Sequence, residues 1–229
     1  MDWRGTREAS RRRYRAKFDA AEAADYDAIV GYLPADAEKL YAEELTAHVG
    51  LKAGDDVLDA GAGTGTMTAI LARMPGLRIV ALEPAPAMLD VLRAKPQLRG
   101  VTAVEGFCDA PEDRALFPAA RFDAIVSRQL LNGLFDPSEA FANWFHWLKP
   151  GGVVAAIDGY YGRSAWGGKW AEEVDVLPLS ANQSLALAPY LLERAGFAVE
   201  RAALTEAVNA SPATRTTRYL VVARKPPVR

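Results

Sequence analysis

Asp59-Ala60-Gly61-Ala62-Gly63-Thr64-Gly65 closes a short apolar run and opens a helical one. Glycines there permit a tight turn, let a ligand approach the main chain, and leave the helix's unpaired N–H groups facing it. A dinucleotide fingerprint, G-x-G-x-x-G, wants a third glycine where Thr66 stands, and the Gly-Lys-Ser/Thr of a phosphate loop is absent. Glu83 follows the next apolar run, 22 residues after Gly61. A carboxylate so placed can accept both hydroxyl hydrogens of a ribose. Pro84 fixes the bend behind it, and Met88 can pack on a purine face. Asp109-Ala110 follows a third run, where the carboxylate can accept from an exocyclic amine of adenine and the Ala110 N–H can donate to the ring. The plainer alternatives are a helix-capping Glu83 and a turn Asp109.

The elements that must position these residues are legible from spacing. Short apolar runs at Val57–Ala60, Arg78–Leu82, Val101–Val104, Phe122–Ser127 and Val153–Asp158 read as strands. Between them, Thr66–Arg73, Ala87–Ala94 and Pro137–Leu148 read as helices, and another helix starts at Asp36. The tail adds a helix near Ala188–Ala195 and strands at Phe197–Arg201 and Arg218–Ala223. Such alternation specifies an α/β, doubly wound, mostly parallel sheet, which binds ligands beyond the carboxyl ends of its strands.

Taken together, Val57–Gly65, Glu83, Asp109-Ala110, Phe122–Ser127 and Leu148-Lys149-Pro150-Gly151-Gly152 resemble the class I S-adenosylmethionine-dependent methyltransferases, over residues 36–160 above all. The resemblance implies a Rossmann-like, seven-stranded sheet with an antiparallel last strand, Arg218–Ala223. It implies S-adenosylmethionine as cofactor, with Asp59, Gly61, Gly63 and Gly65 around its methionine part, Glu83 on the ribose, and Asp109 and Ala110 on the adenine. Ser127 and Arg128 would offer main-chain groups to the methionine end, and Tyr26-Asp27 is similar to a Tyr-Asp pair that helps cover the cofactor. In Gly106-Phe107-Cys108-Asp109, two residues intervene where the family often has Gly directly before Asp.

Methyl transfer from a sulfonium is an in-line displacement, served by alignment and exclusion of water; a base is needed only if the acceptor must shed a proton early. The candidates for contact with the acceptor are Arg128, Gln129 and Asn132 after the fourth strand and Asp158, Tyr160 and Tyr161 after the fifth. Asp158 or Tyr160 could take a proton, and Arg128 could pair with a substrate carboxylate. His146 lies in a helix expected to pack on the sheet, and His48 ends another, so neither is a favoured base. Residues 1–35 form an expected helical lid segment, residues 36–229 the cofactor-binding domain, and residues 159–182, rich in glycine and aromatics, a flap within it.

Composition narrows the function. The 229 residues are 50% apolar and 24% charged, with net charge −2, unlike the strong basic excess of a dedicated nucleic-acid binder. Seven basic side chains fall within the first 17 residues (Arg4, Arg7, Arg11, Arg12, Arg13, Arg15, Lys17) and read as a solvated helix face or mobile arm. A lone cysteine, Cys108, allows no disulfide and no thiolate metal cluster, and two histidines make no metal site, so no metal is expected. With no apolar leader at Met1-Asp2-Trp3-Arg4-Gly5 and no membrane-length apolar run, a cytoplasmic location is expected. The favoured reading is N- or O-methylation of a small-molecule acceptor; the oligomeric state is not legible. The alternatives are a nucleic-acid methyltransferase using Arg11-Arg12-Arg13, a cofactor-binding protein that transfers no methyl group, and a nicotinamide oxidoreductase, which Thr66 disfavours.

Overall fold

The structure is a computed structural model and describes residues 3–227; Met1, Asp2, Val228 and Arg229 lie outside the described residues, as do the side chains of Trp3, Arg4, Thr6, Lys169 and Glu173. Seven strands, β1 (Asp56–Ala60), β2 (Arg78–Glu83), β3 (Thr102–Glu105), β4 (Phe122–Arg128), β5 (Leu148–Gly159), β6 (Ala198–Leu204) and β7 (Arg218–Arg224), form one sheet. Their order is β3-β2-β1-β4-β5-β7-β6. Strands β1 to β5 pair in parallel, and β7 runs antiparallel between β5 and β6. The fold expected from the sequence is therefore the fold observed. The winding reverses between β1 and β4, which opens a crevice at their carboxyl ends.

Both faces of the sheet are covered, which is why its strands are continuous apolar runs. Alternate residues point to opposite faces. Leu58, Ile125, Val154 and Val221 pack on one side with Phe141, Trp144 and Trp147 of α6 (Pro137–Trp147). Val57, Ala124, Val153 and Val222 pack on the other with Tyr41 and Leu45 of α3 (Ala35–His48) and Met67 and Ile70 of α4 (Thr66–Ala72). Helix α6 starts where the sequence demands it, because Asp136 accepts from the Ser138 and Glu139 amides and Pro137 occupies the first turn. Helix α5 (Pro86–Ala94) carries Met88, Leu89 and Leu92 inward. Helix α7 (Leu187–Arg194) and the short α8 (Glu206–Ala210) complete the two layers.

Ahead of α3, α1 (Trp3–Ala16) and α2 (Ala20–Tyr26) lie over the carboxyl ends of the strands. They are tied down by Arg15, whose Nε donates to the Pro84 carbonyl at 3.1 Å, and by Asp27, which pairs with Lys95 at 2.7 Å. Among the described residues no helix is long and apolar enough to cross a membrane, and no three metal-ligating side chains cluster.

At the opposite edge of the sheet, Asp56 draws three cations together. Arg78 donates to it through Nε and Nη2 at 2.8 and 2.7 Å, Arg121 lies at 2.7 Å and Lys149 at 3.5 Å. These donors, Arg78 foremost, hold the Asp56 carboxyl well below the usual carboxylate range. A depressed folded-state pKa stabilises above the unfolded value near pH 4, and that contribution disappears as pH falls further. Asp56→Asn should therefore be less stable than the parent at neutral pH and lose less on acidification, measured by urea unfolding between about pH 6 and pH 2.

Candidate active site

A cavity of about 410 Å³ opens at the carboxyl ends of β1, β2 and β4, where the reversal of winding places it. Its floor is the turn after β1. Gly63 holds φ +57° with nothing nearer to an added Cβ than Tyr26 at 4.0 Å, so a side chain there would enter the cavity from a strained backbone. Gly65 holds φ +93°, but a Cβ would strike Leu98 at 2.8 Å and Leu92 at 3.0 Å. Gly65 thus seats α4 against α5 and does not line the cavity.

Glu83 ties this turn to the next. Its Oε2 accepts from the Gly63 amide and its Oε1 from the Ala85 amide, both at 3.0 Å. Burial pushes its carboxyl up to about 7 despite these two donors. Asp59 is likewise pushed up to about 7 by burial, with one oxygen on the Thr68 hydroxyl at 2.5 Å and the other without a partner among the described residues.

Asp109 is buried beside the cavity with both oxygens engaged. Oδ1 accepts from Arg11 Nη2 at 2.6 Å, and Oδ2 accepts from the Phe135 amide at 2.6 Å. The same guanidinium meets Asp113 at 2.5 Å and lies 4.5 Å from the centroid of the Phe107 ring. Arg11 is only 4% exposed, so the basic segment is not a uniformly solvated face: Arg12 points out and Arg11 points in. The reason is that two carboxylates, one of them buried, need a charge partner and α1 supplies it. Tyr14 and Phe18 from the same segment line the cavity, joined by Tyr26, Phe107, Phe135, Trp166 and Trp170. Phe18 meets Tyr26 edge-on at 5.8 Å and Trp170 at 5.7 Å, which brings the N-terminal segment and residues 159–182 into contact.

Of the residues expected around a cofactor, Tyr26, Gly61, Gly63, Glu83, Pro84, Met88, Asp109 and Arg128 line this one cavity. Asp59, Gly65, Ala110 and Ser127 lie outside its lining. The Ala110 amide is not free to meet a ring, because it donates to Asp113 Oδ2 at 2.9 Å. Two expected acceptor-side residues also take other parts. Asp158 is 1% exposed and accepts from the amides of Leu131 and Gly159 and from the Asn132 side chain, so it anchors the loop after β4. Tyr160 packs on Tyr219, ring centroids 5.2 Å apart, and Tyr161, one residue on, faces the cavity instead. Neither histidine lines it; His48 pairs with Glu44 within α3.

Against this geometry, residues 58–156 match a family model described as a methyltransferase domain. Over 138 residues the chain is 29% identical to the ubiquinone/menaquinone biosynthesis C-methyltransferase UbiE of Marinomonas sp. (strain MWYL1), covering 59% of this chain and 55% of that protein. The chain is therefore similar to methyltransferases over residues 58–156. It spans about half the length of the curated relatives it matches. A S-adenosylmethionine-dependent methyltransferase from Aquifex aeolicus shares its fold, with TM-score 0.65, 22% identity and coverage of 91% of this chain and 100% of that one. So does the geranyl diphosphate C-methyltransferase of Streptomyces coelicolor A3(2), with TM-score 0.61, 18% identity and coverage of 82% and 79%.

Within this methyltransferase fold, sequence reading overlooked Arg11, Phe107, Phe135 and the buried Arg218 as parts of the site. Arg7, Arg11, Tyr14 and Phe18 recur three or four residues apart, a signal for an inward helix stripe that the density of arginines hid. Asn143 was hidden in a core helix; its Nδ2 donates to the carbonyls of Cys108 and Ala110 and shapes the loop carrying Asp109.

Two outcomes follow from these charges. Breaking a buried ion pair leaves the partner uncompensated, at a cost of about 3 kcal/mol or more. Arg11→Met should accordingly raise hydrogen exchange along residues 7–16 about a hundredfold, read by mass spectrometry. Glu83 and Asp59 have folded-state pKa values above their unfolded ones, so the ligand-free protein should lose stability as pH rises from about 4.5 to 7. Glu83→Gln should flatten that slope in urea titrations.

Proposed function

We propose that this protein transfers the methyl group of S-adenosylmethionine to a small-molecule acceptor, bound with the cofactor in the cavity above the glycine turn. The observation that carries the reading is Glu83: a buried carboxylate, fixed by the Gly63 and Ala85 amides at the wall of the cavity, with lone pairs left for the hydroxyl hydrogens of a ribose. Met88 and Pro84 offer an apolar surface beside it for a purine. Near the glycine turn, Asp59 Oδ1, Thr64 Oγ1 and Ser127 Oγ are buried without partners among the described residues, behind the cavity lining. The cavity-lining Glu83, Pro84 and Met88 thus fit the nucleoside part of the cofactor. When bound, S-adenosylmethionine supplies a methyl group already activated by its sulfonium.

The chain's own part is alignment and exclusion of water. The aromatic shell of Tyr14, Phe18, Phe135, Trp166 and Trp170 walls the cavity, which supports reading residues 1–35 as a lid and 159–182 as a flap on the domain 36–229. Among the described residues, no carboxylate or imidazole lines the cavity on the side of Arg128 and Tyr161, as Asp158 is turned to the backbone. That favours transfer to an amine or an oxygen that is already a nucleophile; transfer to carbon, which the names of two relatives state for them, generally calls for a base to remove a proton. The inward turn of Arg11 takes it out of the Arg11-Arg12-Arg13 run, so a phosphate-binding surface is the weaker reading.

Titration calorimetry tests the cofactor assignment. Wild-type protein should release or absorb heat with S-adenosylmethionine. Glu83→Ala, which removes charged acceptors, should weaken binding about tenfold to a hundredfold, as should Gly63→Val. Heat with NAD and none with S-adenosylmethionine would refute the reading. Release of S-adenosylhomocysteine on a panel of small acids and amines, scored by chromatography, tests transfer itself.

A further inference from the structure

The cavity is divided by charge. Its acids, Glu83 and Asp109, stand at the ends of β2 and β3, and Asp109 is balanced by Arg11. On the other side of the glycine turn the wall is cationic. Arg128, at the end of β4, has its guanidinium 5.3 Å from the centroid of the Tyr41 ring and meets no hydrogen-bond acceptor or carboxylate within ion-pair distance among the described residues. Asp59 lies within its field, but Asp59 is buried and bonded to Thr68.

Beside Arg128, the Tyr161 oxygen accepts from Gln129 Nε2 at 2.8 Å and from Arg218 Nη1 at 2.7 Å. A phenol oxygen has two lone pairs and one hydrogen. With both lone pairs engaged, the hydrogen is left to donate elsewhere, and among the described residues no protein acceptor takes it. Tyr161 lines the cavity. Arg218 behind it is 7% exposed, and its one side-chain hydrogen bond among the described residues goes to Tyr161. The nearby Asp158 is engaged by backbone amides. The Tyr26 hydroxyl lies within the fields of Arg128, Glu83, Tyr161 and Arg218 together, so these groups surround one corner, with Glu83 held to the Gly63 and Ala85 amides. A guanidinium and a phenol hydrogen facing one space, with no carboxylate among the described residues at ion-pair distance from the guanidinium, make a receptor for an anionic oxygen pair.

We propose that the methyl acceptor is a small carboxylate, its charged oxygens held by the Arg128 guanidinium and the Tyr161 hydroxyl. Trp166, 6.4 Å from the Tyr161 ring, and Phe135 and Leu177 beyond it give the body of the acid an apolar wall. Gln129 and Arg218 are positioning residues that aim the hydroxyl. The inference rests on the reading of the cavity as a joint cofactor and acceptor site.

The test is calorimetry on protein saturated with S-adenosylhomocysteine, using benzoate and phenylacetate as probes and the matching neutral amides as controls. The acids should bind at least tenfold more tightly than the amides. Arg128→Met and Tyr161→Phe should each erase that preference while leaving 5′-methylthioadenosine, which lacks the amino-acid end, bound as in wild type; that retained binding also reports that the variants fold. Equal binding of acids and amides, or none of either, overturns the proposal. So does a tenfold loss of S-adenosylhomocysteine affinity in Arg128→Met with 5′-methylthioadenosine unchanged, because the arginine would then hold the cofactor's own carboxylate. No binding of S-adenosylhomocysteine by wild type removes the cofactor reading and this one with it; binding without a preference for acids removes this one alone.

Discussion

Glu83 accepts one hydrogen bond from the turn after β1 and another from the turn after β2, and it does so where water is largely excluded. The rest of the site depends on that bridge. A carboxylate pushed up by burial is stable as an anion only while donors face it, so the Gly63 and Ala85 amides are held to it and it to them. The Gly63 backbone can meet it only because a left-handed conformation is open to glycine. Two turns that the chain makes 20 residues apart therefore become one rigid wall. A site assembled in this way is organised before any ligand arrives, which is how a reaction governed by alignment is best served.

The same economy of buried charge explains the N-terminal segment. Asp109 and Asp113 stand close together, and two carboxylates in a desolvated place repel each other and resist ionisation. Arg11 enters between them and turns a local liability into the anchor of α1. Once α1 is anchored, Tyr14 and Phe18 are carried over the cavity and meet Trp170. Electrostatics thus places α1, and aromatic packing sets Tyr14 and Phe18 against Trp170 at the pocket.

Across the glycine turn the balance is reversed. Among the described residues, Arg128 and Arg218 have no acid at ion-pair distance, and Asp158, whose field reaches Arg218, is committed to backbone amides. Asp158 holds the loop after β4, including Gln129 in a left-handed conformation at φ +56°, and so sets the angle from which Gln129 reaches Tyr161. A residue that reads as a base in the sequence thereby becomes a support for the residues that face the cavity.

The chain's one-dimensional pattern determined the strands, their parallel winding, and the strand ends at which Gly61, Gly63, Glu83, Asp109 and Arg128 stand, because apolar periodicity and glycine turns are local properties. It did not determine who pairs with whom. Arg11 and Asp109 are 98 residues apart, and no spacing rule connects them. Tyr160 and Tyr161 are adjacent and chemically alike; only the way the chain leaves β5 decided that the second faces the cavity and the first packs on Tyr219. Ala110 likewise stands where its amide could meet a ring, until Asp113 takes it. Position along a strand is encoded by neighbours in the chain, whereas the partner of a buried polar group is decided by whichever donor or acceptor the closed fold brings within reach.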